Sequence, residues 1–259
     1  MNLPVDWAIP QAVAFVLVVA RMSGLFLLAP VFSSAMIPGK IKVMTLVVLS
    51  AALTPVIMTN AATLPTDGIS IAFAVGTQAL VGFALGFSVA IVFASIQIGA
   101  SLIDTTMGFS LANIIDPLNS AQGAVFGSFY TMVATLSFLS INGHFWILSG
   151  FVQSFHILPL GHAPDFHRLL AGSMSVFMQL FVIAFQIAAP VVITLLLVDS
   201  VLGIVARVVP QMNVFFVGIP LKVGIGMAAI IISLPTVLNV FQGHLSDVIM
   251  SAPTFLGKG

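Results

Sequence analysis

The chain of 259 residues contains no cysteine and no glutamate. The lack of cysteine excludes disulfides, thiolate metal sites and thiol nucleophiles. Charge is scarce as well, since lysine, arginine and aspartate together make up 5% of the residues, against about 25% in an ordinary soluble domain. Basic and acidic side chains balance to a net charge of zero, so no basic surface points to nucleic acid as a partner. This composition excludes an ordinary soluble fold.

Sequence motifs of catalysis and cofactor binding are also missing. The chain has no GxSxG motif, no Walker loop and no GxGxxG after a strand, and its histidines form no HExxH pattern. Its aspartates fall mostly at the ends of apolar runs, where helix capping explains them. None has the YD or GxGD context of an intramembrane protease. We therefore expect no enzymatic activity, no metal site and no cofactor.

Apolar residues dominate the sequence, at 60% of the chain with a mean hydropathy of +1.23. Six apolar blocks, each long enough for a membrane-spanning helix of about 20 residues, lie at residues 8–32, 43–59, 69–103, 123–158, 169–198 and 214–240. No lysine or arginine precedes Arg21, which makes a poor signal peptide, so we expect the first block to be kept as a helix. The sequence predicts an all-α integral membrane protein with one domain over residues 1–259.

Polar breaks separate these blocks, at residues 33–42, 60–68, 159–168 and 199–213, and a mildly polar tail begins at Gln242. The first break carries Lys40 and Lys42, which the positive-inside rule places on the cytoplasmic side of the membrane. The break at 199–213 carries Arg207 and falls on the same side if six spans alternate.

The third block, residues 69–103, is longer than a bilayer requires. As one helix it would measure about 52 Å, whereas the hydrocarbon core of a bilayer is about 30 Å thick. Small and polar side chains recur along it at helical spacing. We predict that these residues form a helix-packing interface: Gln78, Gly82, Gly86, Gln97 and Ser101. A pore-lining face is the alternative interpretation.

Several other blocks contain helix breakers. The turn signal Asn142-Gly143 predicts two shorter helices, a hairpin within the membrane layer, in the fourth block. Pro190, Pro220 and Pro235 predict kinks in the last two. Broken helices at membrane depth are tolerated only where protein or water satisfies the backbone. This pattern favours a subunit buried in a larger assembly.

Arg21 is the one charged residue inside the first block. A charge at membrane depth costs several kcal/mol (roughly 2.5–3.5 on insertion scales) unless it is paired. We expect Arg21 either to pair with an acid such as Asp104 or Asp199, or to lie near the membrane interface.

The segment MGFSLANIIDPLNSAQG, residues 107–123, is too apolar for a solvent-exposed connection and too interrupted for a spanning helix. Gly108 permits a helix to stop, and Asp116-Pro117 favours a turn. Apolar residues between them would be costly in water. The segment is therefore expected either to pack on its own helices or to form a plug or constriction in a pore, since apolar constrictions gate by dewetting.

The order of several short motifs resembles the FliR family, the R subunits of the flagellar export gate, and its relatives in virulence type III secretion. The motifs are ARMSG (20–24), LAPVF (28–32), IP (37–38), GFALGF (82–87), MGFS through DP (107–117), NGH (142–144), SFH through P (154–159) and PQMNVF (210–215) with Gly218, Pro220 and Lys222. The resemblance covers nearly the whole chain.

The resemblance implies bent helical hairpins assembled into a helical hetero-oligomeric export gate in the bacterial inner membrane, at the flagellar basal body. One copy would join five FliP and four FliQ subunits, beside FlhB and FlhA, and the gate would pass unfolded flagellar proteins. It also implies that the central segment acts as a pore plug: Phe109, Leu111, Ile114, Ile115, Asp116, Pro117 and Leu118. An injectisome gate homologue and a small-solute secondary transporter are the alternatives. A transporter should show internal repeats, and no clear repeat is present.

Overall fold

The computed structural model describes residues 5–34, 37–58, 64–109, 125–211 and 213–256. These residues form helices and turns and no strand, which confirms the all-α prediction. The helices are α1 Val5–Leu28, α2 Pro30–Ser33, α3 Gly39–Met58, α4 Gly68–Met107, α5 Val125–Ser140, α6 Gly143–Ile157, α7 Phe166–Val208 and α8 Val214–Ser251, followed by a 3-10 helix at Ala252–Leu256.

Five helices in the described part of the chain are long and apolar enough to cross a membrane. They are α1 from Ile9, α3, α4, α7 and α8, and the pair α5 and α6 counts as a sixth if it is taken as one broken span. This agrees with the six apolar blocks of the sequence.

Helix α4 is one uninterrupted helix of 40 residues, about 60 Å long. The Asp67 carboxylate caps its start by accepting a hydrogen bond from the Ser70 N–H at 3.0 Å. The helix ends at Met107 because Gly108 has φ 93°, a left-handed conformation that favours glycine. The predicted helix stop at Gly108 is therefore confirmed.

The fourth block is divided into α5 and α6, as the Asn142-Gly143 signal predicted. Asn142 has φ 56°, and asparagine tolerates this left-handed conformation better than most residues. The chain leaves α5 at Ser140 and enters α6 at Gly143, so two residues make the connection.

The predicted break at residues 199–213 is wrong over most of its length, because α7 remains helical to Val208. Asp199 lies inside the helix and forms an ion pair with Lys222 of α8, so its charge does not end the apolar span. The helix ends just before Pro210, whose ring disfavours helical backbone at the preceding residue. Similarly, the tail expected from Gln242 is helical to Ser251.

Residue contacts divide the chain into two compact units, each built from segments distant in sequence. The first unit comprises residues 1–91, 142–178 and 245–259, and the second comprises 92–141 and 179–244. The long helices α4, α7 and α8 each contribute to both units. The single domain over residues 1–259 stays a prediction.

In the first unit, α1 packs on α3, and α6 packs on the final 3-10 helix. Glycines allow helix α1 to approach α4 closely. A methyl group on Gly82 would overlap the carbonyl oxygen of Arg21, and one on Gly86 would lie 3.0 Å from that of Leu25. These two glycines therefore fix the separation of the helices, because no larger residue fits without moving α1.

The second unit has an aromatic core. The Phe93 ring of α4 contacts Phe138 of α5 and Phe241 of α8 edge to face, with centroids 5.8 and 5.3 Å apart. The Met107 side chain packs on the backbone of α8, since a methyl group on Gly226 would lie 2.6 Å from Cε of Met107. These contacts hold the C-terminal end of α4 against α8.

Candidate functional site

The described residues on either side of the 110–124 segment meet at the end of α4, and we call this cluster the segment base: Asp104, Phe109 and Phe126. Both Asp104 carboxylate oxygens lie 3.3 Å from the Phe126 backbone nitrogen, whose N–H donates to them. The Phe109 ring meets the Phe126 ring edge to face, with centroids 5.7 Å apart. One side chain and one ring pair thus tie the helix before the segment to the helix after it.

The Asp104 carboxylate is almost fully buried, with 5% of the residue exposed. No lysine, arginine or histidine among the described residues lies within ion-pair distance of it. Instead, it lies at the start of α5, where backbone N–H groups are free of helical partners and the helix dipole is positive. The carboxylate therefore acts as a cap supplied from another helix.

The predicted plug residues Leu111, Ile114, Ile115, Asp116, Pro117 and Leu118 lie outside the described residues. Phe109 is described: it is half-buried, and its N–H donates to the Asp104 carbonyl at 3.0 Å. Its ring packs on Phe126 and so belongs to the segment base.

A second polar centre surrounds Arg21 in the first unit. Arg21 is fully buried, and its Nε donates to Gln78 Oε1 at 2.7 Å. Its Nη1 and Nη2 donate to Ser154 Oγ at 3.0 Å and to the Leu158 carbonyl at 2.9 Å. Three helical segments, from α1, α4 and the end of α6, are joined by this one side chain.

The prediction that Arg21 pairs with an acidic residue is wrong, whereas its predicted position near the membrane interface stays a prediction. Within the described residues no carboxylate lies within ion-pair distance of Arg21, which is wholly buried. Asp104 caps α5, and Asp199 pairs with Lys222. The guanidinium faces the carbonyl end of α6, where the helix dipole is negative and stabilises a cation.

The residues predicted to form one helix-packing interface have different surroundings. Gln78, Gly82 and Gly86 are buried, and their contacts are with α1. The side chains of Gln97 and Ser101, further along α4, are exposed on this chain.

The predicted cytoplasmic lysines lie at the start of α3. Lys40 is exposed, whereas Lys42 is half-buried and its Nζ donates to the Ser33 carbonyl at 2.8 Å. Lys42 therefore ties α3 to the end of α2.

A half-open cavity of about 410 Å³ lies in the first unit, between residues Ile69 to Thr77 of α4 and the turn at Gly161 and Ala163. Its lining carries two hydroxyl groups and no charged side chain. Its described lining contains no acid–base pair.

Sequence reasoning missed the partners of Arg21, and although it expected the aspartates to cap helices, it did not identify the helix that Asp104 caps. The Arg21 partners are neutral groups 57, 133 and 137 residues away, and no local pattern links them. Asp104 did carry a signal, because an acidic residue in the last turn of a helix is disfavoured by the dipole of that helix and so favours a partner elsewhere. The cap here serves the following helix, across the 110–124 segment.

A family model described as "Bacterial export proteins, family 1" matches residues 12–248. Three proteins named "Flagellar biosynthetic protein FliR" are similar to this chain. The one from Bacillus subtilis is 42% identical over 172 residues, 65% of this chain and 66% of that protein. The one from Aquifex aeolicus is 31% identical over 218 residues, 84% of each. The one from Escherichia coli is 28% identical over 228 residues, 88% of this chain and 87% of that protein.

Proposed function

The chain belongs to the FliR family of bacterial export proteins, and from this premise we propose that it lines part of a protein-conducting channel in the flagellar export apparatus. Unfolded flagellar proteins are the substrates of this channel. Residues 109–121 close it when no substrate passes. The role is one of structure and gating, with no chemical step.

The segment base is the observation that supports the plug. An apolar segment is inserted at the end of a helix about 60 Å long, and the helices before and after it are joined by Asp104, Phe109 and Phe126. A segment held at both ends can fill a lumen without being carried off by a passing chain. The apolar side chains Leu111, Ile114 and Ile115 supply a dewetted seal, and Asp116-Pro117 supplies the turn.

Membership of the same family supports a proposal for the assembly. We propose that one copy of this chain joins five FliP and four FliQ subunits in the inner membrane at the flagellar basal body, next to FlhB and FlhA. Large apolar side chains on α7 and α8 are exposed on the isolated chain, among them Phe185, Leu197 and Ile232. Lipid and neighbouring subunits are the surroundings that such faces require.

Deletion of residues 113–118 tests the plug. We expect the complex with FliP and FliQ to assemble at normal yield, and ion conductance through cells or liposomes carrying it to rise. If the segment serves only to pack the helices, the same deletion lowers complex yield and gives no leak. A complex that assembles, stays tight and exports normally removes the plug role altogether.

A pair of substitutions controls for the length change. Ile114→Ser with Ile115→Ser removes the apolar seal and should leak, whereas Ile114→Leu with Ile115→Leu keeps it and should stay tight. Equal conductance from the two double variants contradicts the dewetting mechanism.

A small-solute transporter is distinguished from the gate by purification. The gate subunit should be degraded or aggregated when expressed without FliP and FliQ, and should co-purify with them at fixed stoichiometry. A monodisperse, thermally stable monomer in detergent would favour the transporter.

A further inference from the structure

We infer that the exported polypeptide passes along one exposed face of the C-terminal half of α4, formed by Gln97, Ser101 and Thr105, which we call the polar line. This assignment rests on the proposed function and names the surface of the same channel that meets the substrate. The polypeptide contacts the polar line in extended form, through hydrogen bonds of its backbone and polar side chains.

Three helices of the second unit cover the other sides of this half of α4. The Phe93 ring contacts Phe138 of α5 and Phe241 of α8. A methyl group on Gly99 would lie 2.9 Å from the carbonyl oxygen of Ala184 on α7. The exposed residues between positions 92 and 107 are Gln97, Ile98, Ser101 and Thr105. The side of α4 that this chain leaves open is therefore mainly polar.

The spacing of the polar line places its side chains in one row. Gln97, Ser101 and Thr105 stand four residues apart, and residues at this interval lie on the same face of a helix. From the first to the last, the row is about 12 Å long. An extended polypeptide rises about 3.3 Å per residue, so about three or four residues of a passing chain lie along it.

The exposed faces of α7 and α8 in the same unit have the opposite character. They carry large apolar side chains such as Phe185, Leu197 and Ile232. Lipid tails suit these faces, but they offer no partner to a glutamine amide, which has two donors and one acceptor. The polar line is therefore turned toward water, and an unfolded chain in transit needs the same surroundings for its own backbone groups.

The polar line is also neutral. None of the exposed residues in this half of α4 carries a charge, since Asp104 is buried and its carboxylate accepts the Phe126 N–H. The Thr105 hydroxyl donates to the Ser101 carbonyl at 2.8 Å. A conducting surface must bind its substrate weakly enough to release it, and neutral hydrogen bonds are about half as strong as charge-assisted ones. The line therefore suits polypeptides of either charge.

Cysteine labelling tests whether the polar line meets water. Because the natural chain has no cysteine, Gln97→Cys and Ser101→Cys each give a single thiol in the complex with FliP and FliQ. Ile232→Cys, on the apolar face of α8, is the control. In phospholipid nanodiscs, a charged methanethiosulfonate reagent should label the first two variants at least about tenfold faster than the control, because the reactive thiolate forms in water. Equal rates, or protection of both thiols by FliP or FliQ, overturn the inference.

Cross-linking tests contact with the exported chain. A flagellar protein fused to a folded domain that cannot pass stalls in the channel, and a single cysteine can be placed in its stalled segment. We expect this cysteine to form a disulfide with Ser101→Cys and none with Ile232→Cys. A disulfide with the control alone contradicts the assignment.

Export rates test whether the polarity matters. Gln97→Leu with Ser101→Leu should lower export by about two- to tenfold at unchanged complex yield, which is the effect of losing one neutral hydrogen bond. Gln97→Asn with Ser101→Thr keeps the polarity and should export at the wild-type rate. Equal rates from the two double variants also overturn the inference.

The inference and the proposed function fail in different ways. If the stalled chain links to Ser128→Cys, an exposed position of α5, but not to Ser101→Cys, the channel stands and the assigned face is wrong. If it links to neither, although it links to a cysteine in FliP, this chain does not line the channel and the proposed function fails.

Discussion

The guanidinium carbon of Arg21 lies 3.8 Å from the centre of the Phe155 ring, in the last turn of α6. A cation over an aromatic face is attracted to it, and more strongly when both are removed from water. The carbonyl end of α6 and the Gln78 side chain complete the site. A ring, a helix end and an amide thus replace the carboxylate that a buried arginine usually requires.

Arg21→Met should destabilise the assembled complex. The substitution leaves the Gln78 and Leu158 oxygens without their donor, and each buried group left unpaired costs about 1–3 kcal/mol. We expect a lower thermal midpoint in detergent and a lower complex yield. Arg207→Met, on an exposed residue of α7, is the control and should change neither. If the complex with Arg21→Met is as stable as wild type, the contacts of Arg21 make no net contribution to stability.

Gly86→Leu should separate α1 from α4. A side chain at this position meets the backbone of Leu25 and Gly24, which cannot move aside as a flexible side chain can. We expect lower complex yield and loss of motility. Gly76→Leu, on the same helix, adds a side chain where no atom lies within 4 Å. Gly76→Leu should therefore keep normal complex yield and motility. If both variants lose them equally, the defect of Gly86→Leu does not arise from the α1–α4 contact.

The ion pair between Asp199 and Lys222 should still form when its acidic and basic residues are exchanged. Lys222→Met leaves an unpaired carboxylate on an apolar helix, which is costly at membrane depth. We expect this single variant to lower complex yield, and Asp199→Lys with Lys222→Asp to recover much of it. Motility and yield should be measured together. No recovery in the double variant would mean that one of the two charges has a partner of its own in the assembly.

Asp67→Ala should lower stability in a pH-dependent way. The Ser70 N–H holds the pKa of Asp67 below its ordinary value. Because the pKa is lower in the folded state, the contribution is present at neutral pH and is lost as the pH falls through the folded pKa. The variant should therefore melt earlier than wild type at about pH 7, and this difference should shrink as the pH is lowered below the ordinary aspartate pKa of about 3.9. Asp247→Ala, an exposed acid of α8, is the control, and a difference independent of pH would count against a charged cap.

Single residues in the sequence correctly predicted one helix end and one turn between helices. Gly108 ends α4 and Asn142 turns the chain between α5 and α6, because each conformation is set by one residue's backbone preference. The predicted break at Asp199 failed for a tertiary reason. A charged residue can lie inside an apolar helix when a partner neutralises it, and Lys222 on the next helix pairs with Asp199.

The sequence likewise predicted only part of the candidate site. Asp104 was recognised as a residue near a helix end, but its partner lies beyond a connection whose geometry no pattern encodes. Arg21 was recognised as costly, and only acids were considered as partners. Three neutral groups bind it instead, and neutral groups leave no charge pattern in a sequence.

The Arg21 contacts also fix an order of events during synthesis. Leu158 follows Arg21 by 137 residues, which takes a bacterial ribosome about 7–27 s at ordinary elongation rates. Gln78 follows Arg21 by only 57 residues, whereas Ser154 and Leu158 follow it by 133 and 137, so the set of groups that bind the guanidinium is incomplete during most of that interval. The hydrogen bonds of Arg21 are therefore completed only when α6 has been made, and until then the arginine depends in part on water, lipid headgroups or the insertion machinery.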